Sequence, residues 1–191
     1  KKFIIVSIKN RIDKKRKEIN FSGDQRLVHW IHKINLIPFF ISDNSQISIL
    51  KRLNFSGLII SGGSDIKKDK DRVKLDLKLL NWAKKNKKPV LGICYGLQLL
   101  AFENGAKLVK LKGHVTKLKG HKILTIFNNS KFPKKVNSFH NYGFYNKPKN
   151  YNIIARSTDG SIEAIKHSIL KIEGWMWHPE RDKIFNKQLI S

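Results

Sequence analysis

Three short stretches carry side chains that could do covalent chemistry together. They are Cys94 between Gly92 and Gly96, the run His178–Pro179–Glu180, and the pair Gly62–Gly63 that follows the apolar segment Gly57–Ser61. Pro89–Ile93 reads as a buried strand that runs straight into Cys94, and a helical pattern starts at Tyr95. The thiol therefore sits at a helix N-terminus, where free N–H groups and the helix dipole favour a thiolate. Glycines two residues to either side let the sharp strand-to-helix turn form without a Cβ clash. Burial in the core is the commoner fate of a lone cysteine, and the elbow alone does not decide between the two.

A nucleophile needs a base, and the base needs an orienter. Pro179 keeps His178 extended, so positions 178 and 180 are expected to project to one side. Glu180 can then hold one ring nitrogen of His178 while the other faces the thiol. Sulfur attack on an amide carbonyl also creates an oxyanion that backbone donors must hold. Gly62–Gly63 can supply one donor and the Tyr95 N–H, in the first turn of the helix, another; the residues leave open which glycine does so. Asp65 is expected to brace that loop. Gln98, one turn after Cys94, faces the same side and can reach a substrate. Trp175 and Trp177 read as core packing.

The three stretches together resemble the class I glutamine amidotransferases. Gly92–Ile93–Cys94–Tyr95–Gly96–Leu97–Gln98 looks like the family's G-I-C-x-G-x-Q elbow, Gly174–Glu180 its closing G-x-x-W-H-P-E, and Ser61–Asp65 its glycine loop, in the family's order and spacing. The resemblance implies a Cys94–His178–Glu180 triad that cuts a γ-glutamyl C–N bond through a thioester and releases glutamate, without metal or organic cofactor. It implies that Gln98 helps hold the glutamyl part. Asn137–Ser138–Phe139–His140 resembles the family's N-S-x-H strand end, which grips the α-amino and α-carboxylate groups; Ser138 and His140 alternate to one face. Asp159–Ile165 resembles a D-G-x-I-E-A-I hairpin of γ-glutamyl hydrolase branches, and equally fits a plain D-G turn.

Asp24–Trp30 and Leu36–Pro38 resemble the free-standing γ-glutamyl hydrolases, whereas Glu103–Leu108 departs from the family pattern and points to a changed leaving-group pocket. The implied substrates are a γ-glutamyl amine or an anionic, nucleotide-linked γ-glutamyl-CDP-amidate of capsule biosynthesis. The alternative is a glutaminase subunit delivering ammonia to a partner synthetase. His29, His32, His114, His121 and His167 lack metal-ligand spacing and read as surface or loop residues.

These groups need a scaffold. Phe3–Ile8, Leu36–Ile41, Gly57–Ser61 and Pro89–Ile93 read as strands alternating with helices at Asp24–Asn35, Gln46–Leu53, Val73–Asn86 and Tyr95–Glu103. That order predicts an α/β fold with a parallel sheet and helices on both faces; the family resemblance makes it flavodoxin-like and open. The second half offers short strands at Lys107–Leu111, Lys122–Phe127, Ile153–Ser157, Ile162–Lys166 and Ile169–Trp175, expected as antiparallel additions, and a terminal helix at Arg181–Ile190. No linker or repeat divides residues 1–191, which read as one domain.

Composition narrows the context. The apolar runs are too short to span a bilayer, no leader pattern opens the chain, and a single cysteine excludes an internal disulfide, so a cytoplasmic setting without membrane contact is expected. The charge is unusual: 39 Lys+Arg against 14 Asp+Glu, a formal +25. Lysines occur in nearly every segment, which favours a compositional origin. An anionic small substrate ranks second, and nucleic acid last, because no RNA-binding or zinc-finger motif accompanies the charge.

Overall fold

The computed structural model describes residues 2–126 and 132–182, with backbone alone over 116–119. Its strands are β1 Lys2–Ser7, β2 Lys9–Asp13, β3 Glu18–Ser22, β4 Leu36–Ile41, β5 Phe55–Ile60, β6 Val90–Ile93, β7 Val109–Lys110, β8 Val115–Thr125, β9 Lys135–Phe139, β10 Tyr142–Gly143, β11 Tyr151–Ser157, β12 Ile162–His167 and β13 Ile172–Trp175. The α-helices are α1 Gln25–Lys33, α2 Lys70–Lys85 and α3 Tyr95–Glu103. Nine strands form one sheet in the order β4-β1-β5-β6-β13-β12-β11-β8-β9. The pairs from β4 through β13 are parallel, and those from β13 to β9 are antiparallel.

Alternation along the inner strands feeds two cores, one on each face. Ile5, Leu58 and Ile60 pack with Leu75, Leu79 and Leu80 of α2 and with Leu97 and Leu100 of α3. Ile4, Val6 and Ile59 pack instead with Leu27, Trp30 and Ile31 of α1 and with Trp175 and Trp177. A strand buried on both faces reads as a continuous apolar run, as Phe3–Val6 and Leu58–Ile60 do. Trp175 and Trp177 pack as expected: their rings stack at 5.6 Å and Phe132 meets both edge-on.

Several expectations needed correction. Ile172–Trp175 is not a purely antiparallel addition. It pairs antiparallel with β12 but parallel with β6, with Trp175 opposite Ile93. A period-two pattern is the same in both ladders, so direction depended on which strand edge was open. The hairpin β2–β3 was not anticipated; Ile12, Ile19 and Phe21 stay well exposed on it, so no core-facing period marks its strands. The helix expected at Gln46–Leu53 is a 3-10 helix, Asn44–Lys51, held by an Asp43–Gln46 capping box. The strand expected at Lys107–Leu111 shrinks to the two residues of β7. The terminal helix expected at Arg181–Ile190 lies outside the described residues beyond Asp182. Among the described residues, no helix is long and apolar enough to cross a membrane.

This topology sets the site. β5, β6 and β13 run parallel and adjacent, so their carboxyl ends lie side by side. The chain leaves β5 into Ser61–Gly63, leaves β6 into Cys94, and leaves β13 toward His178. Carboxyl ends of parallel strands form the usual crevice of such sheets.

Candidate active site

Cys94 has φ 51° and ψ −99°, a backbone conformation that side-chain-bearing residues rarely adopt. The neighbouring glycines permit it. A Cβ on Gly92 would come within 2.6 Å of the Gly96 carbonyl carbon, and a Cβ on Gly96 would collide with the Ile60 carbonyl oxygen. Strand β6 thus packs directly under the first turn of α3. The Cys94 N–H donates to the Trp175 carbonyl at 2.8 Å, tying the elbow to β13.

His178 is extended (φ −106°, ψ 91°), and the residues after it form a 3-10 turn, Pro179–Arg181. His178 Nδ1 lies 2.7 Å from Glu180 Oε1. The pairing was expected from alternation along extended chain; it forms through a turn that folds Glu180 back under the ring. With Nδ1 held by an acceptor, Nε2 is left for the sulfur. Burial alone would depress the His178 pKa, but hydrogen bonds to Cys94 and Glu180 outweigh it and raise the value to about 9.

Gly62 closes against this pair. A Cβ there would sit 2.6 Å from His178 Cε1 and 3.4 Å from Cys94 Cβ, so only glycine leaves room for the ring. Gly63 has φ +96° and also lines the cavity. The loop is clamped by Arg72 of α2, which sequence reading missed. Arg72 Nη1 donates to the Gly62 carbonyl at 3.2 Å and Nη2 to the Ser61 carbonyl at 2.7 Å. Its guanidinium lies 4.3 Å over the Tyr95 ring and pairs with buried Asp76, which accepts the Ser7 hydroxyl. Asp65 accepts the Lys67 N–H at 2.9 Å, turning the loop as expected.

A cavity of about 260 Å³ opens beside Cys94 and His178, lined also by Gly63, Gln98, Phe139 and His140. Gln98 Nε2 donates to the Tyr142 carbonyl at 2.9 Å. Asn137 and Ser138 are placed differently from the expectation. Asn137 grips the His178 backbone from both ends, accepting its N–H at 3.0 Å and donating to its carbonyl at 2.7 Å. The Ser138 hydroxyl is fully buried and donates to the His114 carbonyl at 2.5 Å. On this strand the side chains that reach the cavity are Phe139 and His140.

His29 and His32 are exposed, as expected. His114 and His121 are not surface residues. His114 is buried, His121 nearly so, and both approach the fully buried Glu163 of β12. A lone histidine in a lysine-rich stretch carries no signal of this; only the pairing of β8 with β9 and β11, and of β11 with β12, assembles the group.

Known proteins place this arrangement. The family model for class I glutamine amidotransferases matches residues 17–188. A γ-glutamyl-CDP-amidate hydrolase of Campylobacter jejuni is 30% identical over 158 residues, covering 80% of this chain and 75% of that protein. The glutamine-hydrolysing subunit of a GMP synthase from Methanocaldococcus jannaschii is 29% identical over 164 residues, covering 79% and 82%. Among solved structures, a protein of Thermoplasma acidophilum assigned as a GMP synthase subunit superposes with a TM-score of 0.71 at 22% identity, covering 94% of this chain and 85% of that one. With the family model spanning most of its length, the chain belongs to the class I glutamine amidotransferases.

Proposed function

We propose that this protein is a cysteine-dependent hydrolase that cuts a γ-glutamyl C–N bond, with Cys94 as nucleophile, His178 as acid and base, and Glu180 as orienter. The observation that carries the reading is the alignment of a strained, glycine-flanked thiol with a histidine whose other nitrogen is held 2.7 Å from a buried carboxylate. His178 takes the proton from the sulfur as Cys94 attacks the γ-carbonyl. It then gives that proton to the departing amine, and the γ-glutamyl thioester forms. Water, activated by His178, clears the thioester and releases glutamate.

The oxyanion falls to Gly63 and Tyr95. The Gly62–Gly63 peptide is trans and its carbonyl is held by Arg72, so the Gly63 N–H points the opposite way. Tyr95 opens α3, where the first N–H groups have no partner within the helix. Gly62 serves by having no side chain. Gln98, Phe139 and His140 hold the glutamyl part, and Asn137 and Ser138 act from behind by fixing the His178 and His114 backbones.

On the leaving-group side, Arg181 lines the cavity, and the Lys9 side chain packs against Gly63. Two cations suit an anionic leaving group such as the nucleotide phosphoramidate named for the Campylobacter jejuni relative. The second reading, a glutaminase subunit feeding ammonia to a synthetase, is favoured by the similarity to the Methanocaldococcus jannaschii protein. Assay of the purified chain on glutamine, a neutral γ-glutamyl amine and γ-glutamyl-CDP-amidate separates them. The hydrolase reading expects turnover of the chain alone, with the phosphoramidate preferred and its kcat/KM falling as salt rises. Activity confined to glutamine, or appearing only with a synthetase added, establishes the second reading instead.

A further inference from the structure

Behind the cavity wall, His114, His140 and Glu163 turn their donor atoms toward one interior point. All three are buried, and their ligand atoms lie within 4.8 Å of one another. The outer nitrogens of both rings are already committed. His114 Nε2 lies 2.9 Å from Asp159 Oδ2, and His140 Nδ1 lies 3.1 Å from the Tyr142 carbonyl. Both partners only accept, so each outer nitrogen carries the hydrogen and each neutral ring turns a lone pair inward. The inward atoms, His114 Nδ1 and His140 Nε2, are 3.4 Å apart. Glu163 Oε1 stands 3.7 Å from the first and 3.6 Å from the second.

Two lone pairs and a carboxylate thus face each other with no hydrogen among them, and both Glu163 oxygens lack a hydrogen-bond partner. Burying such a set costs several kcal/mol unless a cation joins it. A proton is one such cation, but 3.6–3.7 Å exceeds the reach of a hydrogen bond, about 3.2 Å. A metal ion fits better. Zinc–nitrogen bonds of about 2.0–2.1 Å in a tetrahedron put ligands about 3.3–3.4 Å apart. Outer nitrogens held by a carboxylate and a backbone carbonyl are the usual supports of metal-bound histidine.

We propose that His114, His140 and Glu163 form a binding site for a zinc-class divalent cation, separate from the thiol. Two imidazoles and one carboxylate suit such an ion. His121 Nε2, 3.1 Å from Glu163 Oε1 but outside hydrogen-bond alignment, is the nearest further donor for a fourth position. The ligands come from the residue before β8, the residue after β9, and β12. The ion therefore pins the antiparallel half of the sheet and fixes His140 in the cavity wall. Its role is positional, and it takes no part in the bond cleavage proposed above.

The test uses the full chain without a histidine tag, titrated with zinc chloride against a chromophoric chelator, with metal content measured by mass spectrometry. Because Cys94 and His178 could also bind zinc, the titration is repeated in Cys94→Ala. The expected result is one zinc per chain in both proteins, with a melting temperature that rises on zinc addition. Glu163→Gln and His114→Gln should each weaken binding by at least about a hundredfold, and Asp159→Asn on its partly exposed turn by about 10–100-fold. Zinc bound equally well by Glu163→Gln and the parent overturns the site, as does binding that disappears in Cys94→Ala. A chain that takes up no zinc and melts at the same temperature with or without it also overturns it, leaving a proton as the occupant. None of these readouts depends on hydrolytic activity.

Discussion

The molecule buries two histidine–carboxylate groups, and they are wired in opposite senses. At the carboxyl ends of the parallel strands, Glu180 holds the Nδ1 of His178 and the other nitrogen turns outward to the sulfur and the cavity. In the antiparallel half, Asp159 and the Tyr142 carbonyl hold the outer nitrogens of His114 and His140, and the free nitrogens turn inward on Glu163. The residue types are the same. What differs is the destination of the second nitrogen. Facing a cavity, it can exchange a proton with a substrate; facing a second lone pair, it can only share a cation. Second-nitrogen contacts thus separate a catalytic from a holding role where residue identity does not.

The comparison breaks first at the nucleophile. Cys94→Ala should lower turnover of a γ-glutamyl amide by at least about a thousandfold, while zinc uptake stays as in the parent. Activity kept within tenfold would remove Cys94 from the mechanism and leave the two groups without a functional distinction.

The carboxylates sharpen it. Glu180→Gln should lower kcat by about 10²–10⁴-fold with little change in KM, because it orients the base and does not bind substrate. Glu163→Gln should change kcat by less than about tenfold. Parallel steady-state measurements decide, and equal losses would mean that the two groups act as one.

Arg72 links the catalytic end to the core, so it should matter less than the triad and more than the holding group. Arg72→Lys keeps the buried charge beside Asp76 but loses the fork that holds the Ser61 and Gly62 carbonyls. We expect kcat to drop by roughly 10–100-fold, less than or comparable to losing an oxyanion donor outright. A drop confined to KM would show that the loop positions substrate instead.

The smallest effect is on stability. The His178 pKa, about 9 in the fold, lies above its unfolded value of about 6.5. The folded state binds the proton more tightly, so this stabilisation is complete below about pH 6.5 and is lost as pH rises through about 9. The melting temperature should fall by a few degrees across that window. Cys94→Ala removes the sulfur partner, so its fall should begin at lower pH and be smaller. Identical melting profiles for the two chains would show that the sulfur does not hold the proton.

Much of the catalytic end is local, and so was legible. Gly92, Cys94 and Gly96 state a backbone requirement within five residues, and His178 and Glu180 meet across one proline. The alternation of apolar runs with helical patterns likewise announces a parallel α/β sheet, because each element's burial is written in its own period. The flanking supports were not legible. Arg72 is one of 39 Lys+Arg, and nothing near it marks the residue whose guanidinium reaches the glycine loop. The exposed hairpin β2–β3 lacks a core-facing period, and the direction of β13 is absent from any pattern within it.

The sequence by itself therefore determined the nucleophile turn, the base with its orienter, and the parallel layer that carries them, since each depends on backbone constraints among near neighbours. Only the tertiary structure decided that β13 joins β6, that Arg72 clamps Gly62, and that His114, His140 and Glu163 face one another. Those depend on which strands become neighbours in the sheet, and a through-space meeting of residues 114, 140 and 163 leaves no trace in the spacing of any one of them.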